Sequence, residues 1–209
     1  MQKKYVFDLD GTLVDSMPHW CKLTDFLTER GIEYPPDLIK TIIALGLPRA
    51  AQYFKDHFPL TETAEEIYQS FIDRYVGFYE REIPAKDGVI ETLSALKERG
   101  VSLNVLTASP HVFLDPCLKR LGIYDLFDNL WTVEDVGSKA ESATYLEVAK
   151  RLGVKPEDCV LYDDSVAPLL PAKAAGWSAV GVYDDFSGRY EDEMRKIADG
   201  YIYNLKELL

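Results

Sequence analysis

The chain has 209 residues, of which 47% are hydrophobic, enough for one sizeable core or for a core that carries a smaller insertion. Its formal net charge is −12 and it has no basic run, which argues against nucleic acid or an anionic membrane as a partner. No apolar stretch approaches the roughly 18 residues that a membrane span needs, and the first residues lead directly into a predicted strand. We expect a cytoplasmic protein that is a monomer or a weak homodimer.

The three cysteines are Cys21, Cys117 and Cys159, an odd number without the CxxC spacing of metal or redox motifs. Such a set is typical of a reducing compartment, where structural disulfides are rare. We expect reduced thiols that fill core positions.

The first predicted element is a short buried strand that runs into YVFDLDGTLVDS, residues 5–16. It brings two carboxylates, Asp8 and Asp10, to one place before the chain turns at Gly11. Two anions held this close repel each other and raise each other's pKa unless something positive lies between them. The pattern therefore predicts a bound cation beside the end of this strand.

Residues 16–82 have helical patterning throughout. Apolar residues at helical spacing (Trp20, Leu23, Leu27) stop at Gly31 and predict a first helix. The capping-box signature Thr63-x-x-Glu66 begins a later helix, whose predicted apolar face consists of Ile67, Phe71, Tyr75 and Phe78. We predict a small helical unit, inserted directly after the first strand, whose aromatic residues mostly form its own core.

From Pro84 onwards, apolar runs alternate with helical segments, which is typical of βαβ units and a parallel sheet. The predicted fold is α/β: a Rossmann-like parallel sheet flanked by helices, with a core of residues 1–15 and 83–209 and a small helical cap of residues 16–82. The predicted core segments are a helix that ends at Gly100, strands at 101–106, 129–133, 159–162 and 178–183, helices at 110–121, 139–152, up to Gly176 and around 188–198, and a last apolar run at 201–205.

Polar side chains follow the predicted strands at their carboxyl ends, the edge where ligands bind in a parallel sheet. Asp8 and Asp10 follow the first strand, Thr107–Pro110 the second, and Asp163-Asp164 the strand at 159–162. Four carboxylates at one edge require a cation, and Mg²⁺ is suited because it takes oxygen ligands and often a substrate phosphate. The sequence therefore predicts a magnesium site there.

Two features near this edge allow two interpretations each. Ser109-Pro110 has the pattern of an N-cap followed by proline at the first helical position, but free N–H groups at a helix start also form a phosphate cradle. Ser138-x-x-Glu141 has capping-box spacing, which places Lys139 in the first turn of a helix. A cation opposes the helix dipole there by about 0.3–1 kcal/mol. Lys139 is therefore either solvated or held there to face carboxylates and phosphate.

Taken in order, DLDGTLVDS (8–16), Thr107, Lys139 and Asp163-Asp164-Ser165 resemble the motifs of the haloacid dehalogenase superfamily of phosphotransferases, over essentially the whole chain. The helical insertion is similar to the C1 cap of that family, as in phosphoglycolate phosphatase and β-phosphoglucomutase. The resemblance implies a Mg²⁺-dependent phosphatase that acts on a small phosphorylated metabolite, with a sugar or polyol phosphate favoured. The alternatives are a phosphomutase of the β-phosphoglucomutase kind and a non-catalytic protein that keeps the fold and a metal.

The resemblance also implies catalytic roles. Asp8 would be the nucleophile that forms an aspartyl-phosphate, and Asp10 the general acid that protonates the leaving oxygen and then activates water. The metal would be held by the Asp8 carboxylate, the Asp10 backbone carbonyl and Asp164, with Asp163 assisting. Pro168 stands where many members have a further acid, so these aspartates must suffice for the metal.

Further implied contacts concern the substrate. Thr107, the Ala108 N–H and Lys139 would hold the phosphoryl oxygens and neutralise the charge that develops in transfer. Leu45–Arg49 resembles the Gly-x-x-Arg specificity loop of sugar-phosphate members, which makes Arg49 either a substrate contact or a solvated arginine. The histidine of the mutases falls at the position that Trp20 occupies here, which favours a phosphatase.

Overall fold

The computed structural model describes residues 3–209, without the side chains of residues 40, 43 and 44. In these residues six parallel strands form one sheet in the order β3-β2-β1-β4-β5-β6. The predicted α/β fold with a parallel sheet is confirmed. The strands are β1 (Lys4–Phe7), β2 (Ser102–Thr107), β3 (Asn129–Thr132), β4 (Cys159–Asp163), β5 (Ser178–Val182) and β6 (Gly200–Ile202).

Helices lie between successive strands along the chain. Between β1 and β2 lie α1 (Met17–Trp20), α2 (Asp25–Thr28), α3 (Leu38–Leu45), α4 (Leu47–His57), α5 (Ala64–Arg81) and α6 (Val89–Glu98). The later helices are α7 (His111–Arg120), α8 (Val133–Val136), α9 (Ser142–Arg151), α10 (Val166–Ala174) and α11 (Glu191–Ile197). Within residues 3–209, no helix has both the length and the apolar character that a membrane span requires.

The sheet is covered on both faces, because alternate residues of a strand point to opposite sides. Phe7, Val105 and Tyr162 belong to a core cluster that continues into the helices between β1 and β2. Val6, Leu106 and Leu161 belong to a second cluster, built with residues of α9 and α10. All five residues of β4 are buried, as expected for a parallel strand covered on both faces.

The segment that contains helices α1 to α5 adds no strand to the six-stranded sheet. The predicted capping box of α5 is present, with Thr63 and Glu66 exchanging hydrogen bonds. Tyr79 is fully buried on this helix and Phe78 only half-buried, so the predicted apolar face is rotated by one residue near its end. The helix predicted up to Gly31 is broken into α1 and α2. The division into a core and a cap at residues 16–82 stays a prediction.

Two predicted helix starts are wrong. Helix α9 begins at Ser142 with Glu141 as its N-cap, so the capping box at Ser138 is absent and Lys139 lies in the preceding turn. The Ser138 hydroxyl instead accepts a hydrogen bond from the Ala140 N–H at 3.3 Å. Helix α7 has Pro110, not Ser109, as its N-cap. Carboxylates of the sheet edge bind Lys139 in the first place and the Ser109 hydroxyl in the second, as described below.

The prediction of core thiols holds for two of the three cysteines. Cys117 and Cys159 are buried, whereas Cys21 is exposed just after α1. All three are free thiols. Cys21 is the C-cap residue of α1.

Candidate active site

The carboxyl ends of β1, β2 and β4 converge on one cleft of about 520 Å³. Phe7 is paired with Tyr162, and the Asp8 N–H donates to the Tyr162 carbonyl at 2.9 Å. Asp8 follows Phe7 and Asp163 follows Tyr162, so this register makes the two aspartates neighbours at the sheet edge. The parallel ladder therefore brings together carboxylates that lie more than 150 positions apart in the sequence.

Lys139 lies between two of these carboxylates. Its Nζ is 2.6 Å from Asp8 Oδ1 and 2.6 Å from Asp163 Oδ2, and its side chain is only 10% exposed. Burial lowers the pKa of Lys139, but Asp163 and Asp8 outweigh it and the net pKa is raised, so the ammonium stays charged. Of the two interpretations of Lys139, the structure has the one in which it faces the carboxylates.

Asp8, Asp163 and Asp164 each offer a carboxylate oxygen to one spot, with these oxygens within 4.8 Å of one another and all three residues buried. Burial, followed by the charge of Asp163, raises the pKa of Asp164 well above its usual value. Burial likewise raises the pKa of Asp8, although Lys139 opposes it. Buried acids perturbed in this way mark a place where a further positive charge would be favourable.

The carboxylate of Asp10 is not part of this group. Its Oδ1 accepts hydrogen bonds from Ser16 Oγ at 2.6 Å, Trp20 Nε1 at 3.2 Å and the Tyr79 hydroxyl, and its Oδ2 accepts one from Ser109 Oγ at 2.5 Å. Three of these donors come from the helical segment after β1, and the fourth follows β2. The Asp10 side chain still lines the cleft. A contact between its backbone carbonyl and a metal stays a prediction.

The loop after β2 is held by its own hydroxyls. Thr107 is fully buried and its Oγ1 accepts the Ser109 N–H at 3.0 Å, while Ala108 between them is exposed in the cleft. Ser109 was open to two interpretations, an N-cap or part of a phosphate cradle. The structure shows a third role for this side chain, because its hydroxyl donates a hydrogen bond to Asp10. Ser16 and Tyr79 are further neighbours of Asp10 that sequence reasoning did not assign.

The loop after Asp10 packs directly on the carboxylate cluster. Gly11 has a φ of +76°, and a Cβ placed on it would lie 2.5 Å from Asp164 Oδ2. The Asp164 N–H donates to Thr12 Oγ1 at 3.1 Å. Lys86 Nζ donates to the Gly11 carbonyl at 2.6 Å. A glycine is therefore required here, since any side chain would displace Asp164.

The helical segment supplies the other wall of the cleft. Trp20 and Arg49 line it, and Arg49 is exposed. His19 is not among the lining residues; its ring packs against Phe78 with centroids 4.3 Å apart. Sequence reasoning missed a further wall, formed by residues of the segment after β5, which carries no motif: Phe186, Ser187, Arg189, Tyr190 and Glu193.

Residues 3–176 match the model of the haloacid dehalogenase-like hydrolase family. The chain belongs to this family. It is 31% identical over 192 residues to the protein YhcW of Bacillus subtilis, covering 90% of this chain and 86% of that one. It is 29% identical over 181 residues to hexitol phosphatase B of Escherichia coli K12, covering 85% and 82%. With phosphoglycolate phosphatase of Colwellia psychrerythraea the identity is 33% over 196 residues, covering 87% and 85%.

The fold of this hydrolase is also found among solved structures. The crystal structure of CbbY from Rhodobacter sphaeroides in complex with phosphate superposes with a TM-score of 0.82 at 23% identity, covering 100% of this chain and 96% of that one. The predicted family membership is thus confirmed, and the fold agrees over the whole chain.

Proposed function

We propose that this hydrolase is a Mg²⁺-dependent phosphatase that releases phosphate from a small phosphorylated metabolite, a sugar or polyol phosphate. One observation carries the proposal: Lys139 bridges Asp8 and Asp163 beside Asp164 at the bottom of a cleft. The similarity to hexitol phosphatase B supports a polyol-type substrate. A cytoplasmic location and a monomer or weak homodimer stay predictions from the sequence.

The residues present fit a magnesium ion. Asp8, Asp163 and Asp164 offer only carboxylate oxygens, which Mg²⁺ prefers, and they are buried and close enough to share one ion. Burial, aided by neighbouring carboxylates, raises the pKa values of Asp8 and Asp164, so a bound cation would favour their charged forms. When bound, the ion would bind a phosphoryl oxygen and offset the negative charge of the phosphate and of the carboxylates.

In the proposed mechanism Asp8 is the nucleophile. One carboxylate oxygen attacks phosphorus, the bond to the leaving oxygen breaks, and an aspartyl-phosphate forms, which water then hydrolyses. Lys139 contacts Asp8 Oδ1, so it orients this carboxylate and is placed to neutralise charge on the phosphoryl group. Thr107 and the Ala108 N–H, which follow β2 beside it, would bind the remaining phosphoryl oxygens.

Asp10 is the proposed general acid and base. It would donate its proton to the leaving oxygen in the first step and take one from water in the second. Its carboxylate lines the cleft and is held by donors from both walls, Ser109 on one side and Trp20 and Tyr79 on the other. Residues 16–82 would act as a cap whose placement orients Asp10 and excludes bulk water, with Arg49 reaching the substrate.

The alternative, a phosphomutase, would return the phosphoryl group to a second sugar phosphate. Trp20 stands at the position where the mutases have a histidine. Its Nε1 donates hydrogen bonds to Asp10 and to the Tyr79 hydroxyl. An indole N–H only donates hydrogen bonds and cannot serve as a general acid or base at neutral pH. We therefore favour transfer to water.

The test is phosphate release from a panel of hexitol phosphates, sugar phosphates, phosphoglycolate and nucleotides, with Mg²⁺ and with EDTA. We expect Mg²⁺-dependent release that is abolished in Asp8→Asn. Asp56→Asn is the matched control, because this carboxylate is exposed on α4 and, among the described side chains, accepts a hydrogen bond from Gln52. Release that survives Asp8→Asn would refute the assigned nucleophile, and transfer to an added sugar phosphate without release would favour the mutase.

Metal binding has a readout of its own in thermal unfolding. A ligand that binds only the folded chain stabilises it by RT ln(1 + [L]/Kd), so Mg²⁺ should raise the midpoint of unfolding. Asp164→Asn should remove most of this rise, whereas Asp56→Asn should keep it. An unchanged rise in Asp164→Asn would place the ion elsewhere.

A further inference from the structure

We propose that Arg189, in the segment after β5, is a specificity-determining residue that binds a second anionic group of the substrate. The proposal rests on the proposed function and narrows its substrate class. The favoured substrates would be sugar or polyol phosphates that also carry a carboxylate or a second phosphate. The segment, residues 183–193, belongs to no motif of the sequence analysis, yet five of its residues line the cleft.

The arginines differ in whether they have an oxygen acceptor as a partner. In the described part of the chain, Arg49 and Arg189 are the two arginines whose guanidinium groups contact no carboxylate or carbonyl oxygen, and both line the cleft. The others are all engaged by such oxygens: Arg30, Arg74, Arg81, Arg99, Arg120, Arg151 and Arg195. In a chain with a net charge of −12, two arginines left without an anion in one cleft indicate that a ligand supplies it.

The setting of Arg189 suits anion binding. Its guanidinium carbon lies 4.7 Å from the ring centroid of Phe186 and 5.0 Å from that of Tyr190. A cation–π contact of this kind engages no hydrogen-bond acceptor, so the N–H groups of the guanidinium stay free to bind an anion. These groups bind carboxylates and phosphates through paired hydrogen bonds, which a hydroxyl cannot match. The two rings thus flank the guanidinium without occupying its hydrogen-bond donors.

The segment that carries Arg189 is fixed to the catalytic core. Lys86 Nζ donates to the Tyr183 carbonyl at 2.6 Å and to Asp184 Oδ2 at 3.0 Å, and the same ammonium binds the Gly11 carbonyl in the loop after Asp10. Asp184 in turn accepts the Phe186 N–H at 2.9 Å. Arg189 is therefore positioned by the core, whereas Arg49 is carried by α4. A substrate held by both would contact the two walls of the cleft at once.

Two substrates that differ in one group provide the test: gluconate 6-phosphate, which has a carboxylate, and glucitol 6-phosphate, which has a hydroxymethyl group in its place. We expect the wild type to favour gluconate 6-phosphate. Arg189→Met should lower the ratio of the two kcat/KM values by about 10- to 100-fold, the range for a lost hydrogen-bonded charge contact. Arg189→Lys should restore part of the ratio, since it keeps the charge without the fork.

The matched control is Arg195→Met. It removes one positive charge from the neighbouring helix α11, where Arg195 pairs with Glu191 and does not line the cleft. We expect its ratio to equal that of the wild type. A ratio unchanged by Arg189→Met, or lowered equally by Arg195→Met, would overturn the proposal.

If the wild type releases phosphate from neither compound, the proposed function fails for this pair, and Arg189 is tested by binding. Calorimetric Kd values for both compounds are then measured in Asp8→Asn with and without Arg189→Met. A selective loss of gluconate 6-phosphate affinity in the double variant supports the proposal. Equal affinities in both proteins, or no binding of gluconate 6-phosphate, overturn it.

Discussion

The Tyr79 hydroxyl donates a hydrogen bond to Asp10 Oδ1, although 69 positions separate the two residues. Trp20 Nε1 lies 2.8 Å from the same hydroxyl and 3.2 Å from the same carboxylate oxygen. The Tyr79 ring is fixed by stacking on Phe113 of α7, with centroids 4.6 Å apart. The last turns of α5 therefore help to orient a carboxylate that the strand β1 delivers, and the helical segment is coupled to the proposed acid and base.

The variant Tyr79→Phe tests this coupling. It keeps the stacked ring and removes one donor from Asp10, which retains Ser16, Trp20 and Ser109. We expect kcat to fall about tenfold with little change in KM, since about 1.4 kcal/mol of positioning is lost at the carboxylate that we propose acts in the chemical steps. Steady-state kinetics on the best substrate of the panel measures both parameters.

Tyr75→Phe is the control for this variant. Tyr75 is buried on the same helix, but its hydroxyl donates to the His19 carbonyl at 3.2 Å and not to Asp10. The change should destabilise the chain to a similar degree and leave kcat within about twofold. Equal losses of kcat in both variants would mean that the hydroxyl of Tyr79 acts only on stability.

A second prediction concerns Lys139. Lys139→Met leaves Asp8 and Asp163 buried without their cation, and breaking a buried ion pair from one side costs about 3–5 kcal/mol. We expect the free energy of unfolding in urea, measured without Mg²⁺, to fall by that amount. Phosphate release with Mg²⁺ should fall by at least about 100-fold, since in the proposed mechanism the residue also neutralises charge on the phosphoryl group.

Lys173→Met provides the comparison. Lys173 pairs with Asp199 at the same distance, 2.6 Å, but the two side chains are 35% and 44% exposed. An exposed pair contributes only about 0–1 kcal/mol. If the two variants lost similar stability, burial of the Lys139 pair would not be the cause.

The fold could be predicted because its signals are local. Apolar runs alternate with helical periodicity from Pro84 onwards, and this alternation is enough for a parallel sheet. Asp8, Asp163 and Asp164 were predicted to meet for the same reason, since the carboxyl ends of parallel strands share one edge. The residue pattern alone left two alternatives for Lys139, because a lysine in a first helical turn can also be solvated, and only the family resemblance assigned it to the site.

The parts that could not be predicted depend on long-range contacts. Nothing in the helical periodicity of α5 distinguishes Tyr79, which reaches Asp10, from Phe78, which does not. Ser109 has the spacing of an N-cap, but its hydroxyl donates to Asp10, a residue 99 positions earlier in the chain. The wall that contains Arg189 carries no motif and is placed by Lys86, a residue 103 positions earlier in the chain.

A third prediction is a pH dependence of stability at His111. Its Nε2 is 2.8 Å from Asp135 Oδ2 and its Nδ1 3.2 Å from Asp115 Oδ1, so it links α7 to the cap of α8. Burial lowers the pKa of His111, but the two carboxylates outweigh it and the net pKa is raised. A raised folded-state pKa gives stability that is complete below the unfolded pKa and is lost as pH rises through the folded value.

The measurement compares urea unfolding of the wild type and His111→Gln at about pH 5.5 and about pH 8.5. We expect the wild type to be more stable by roughly 0.2–1 kcal/mol at the lower pH, a size set by the partial exposure of the pair. The difference should shrink at the higher pH, where the imidazole is neutral. A difference that grows with pH would contradict the assigned sign.

The last prediction uses two glycines with the same backbone conformation. Gly11 and Gly31 have φ values of +76° and +66°, so alanine is strained by about 1–2 kcal/mol at either position. At Gly11 the new Cβ would also lie 2.5 Å from Asp164 Oδ2, whereas at Gly31 it would meet nothing within 4 Å. We expect both variants to lose stability, and only Gly11→Ala to lose the rise in unfolding temperature with Mg²⁺ as well, because Asp164 must move. Thermal unfolding with and without Mg²⁺ separates the two effects: a full Mg²⁺ response in Gly11→Ala would mean that the ion does not depend on the position of Asp164.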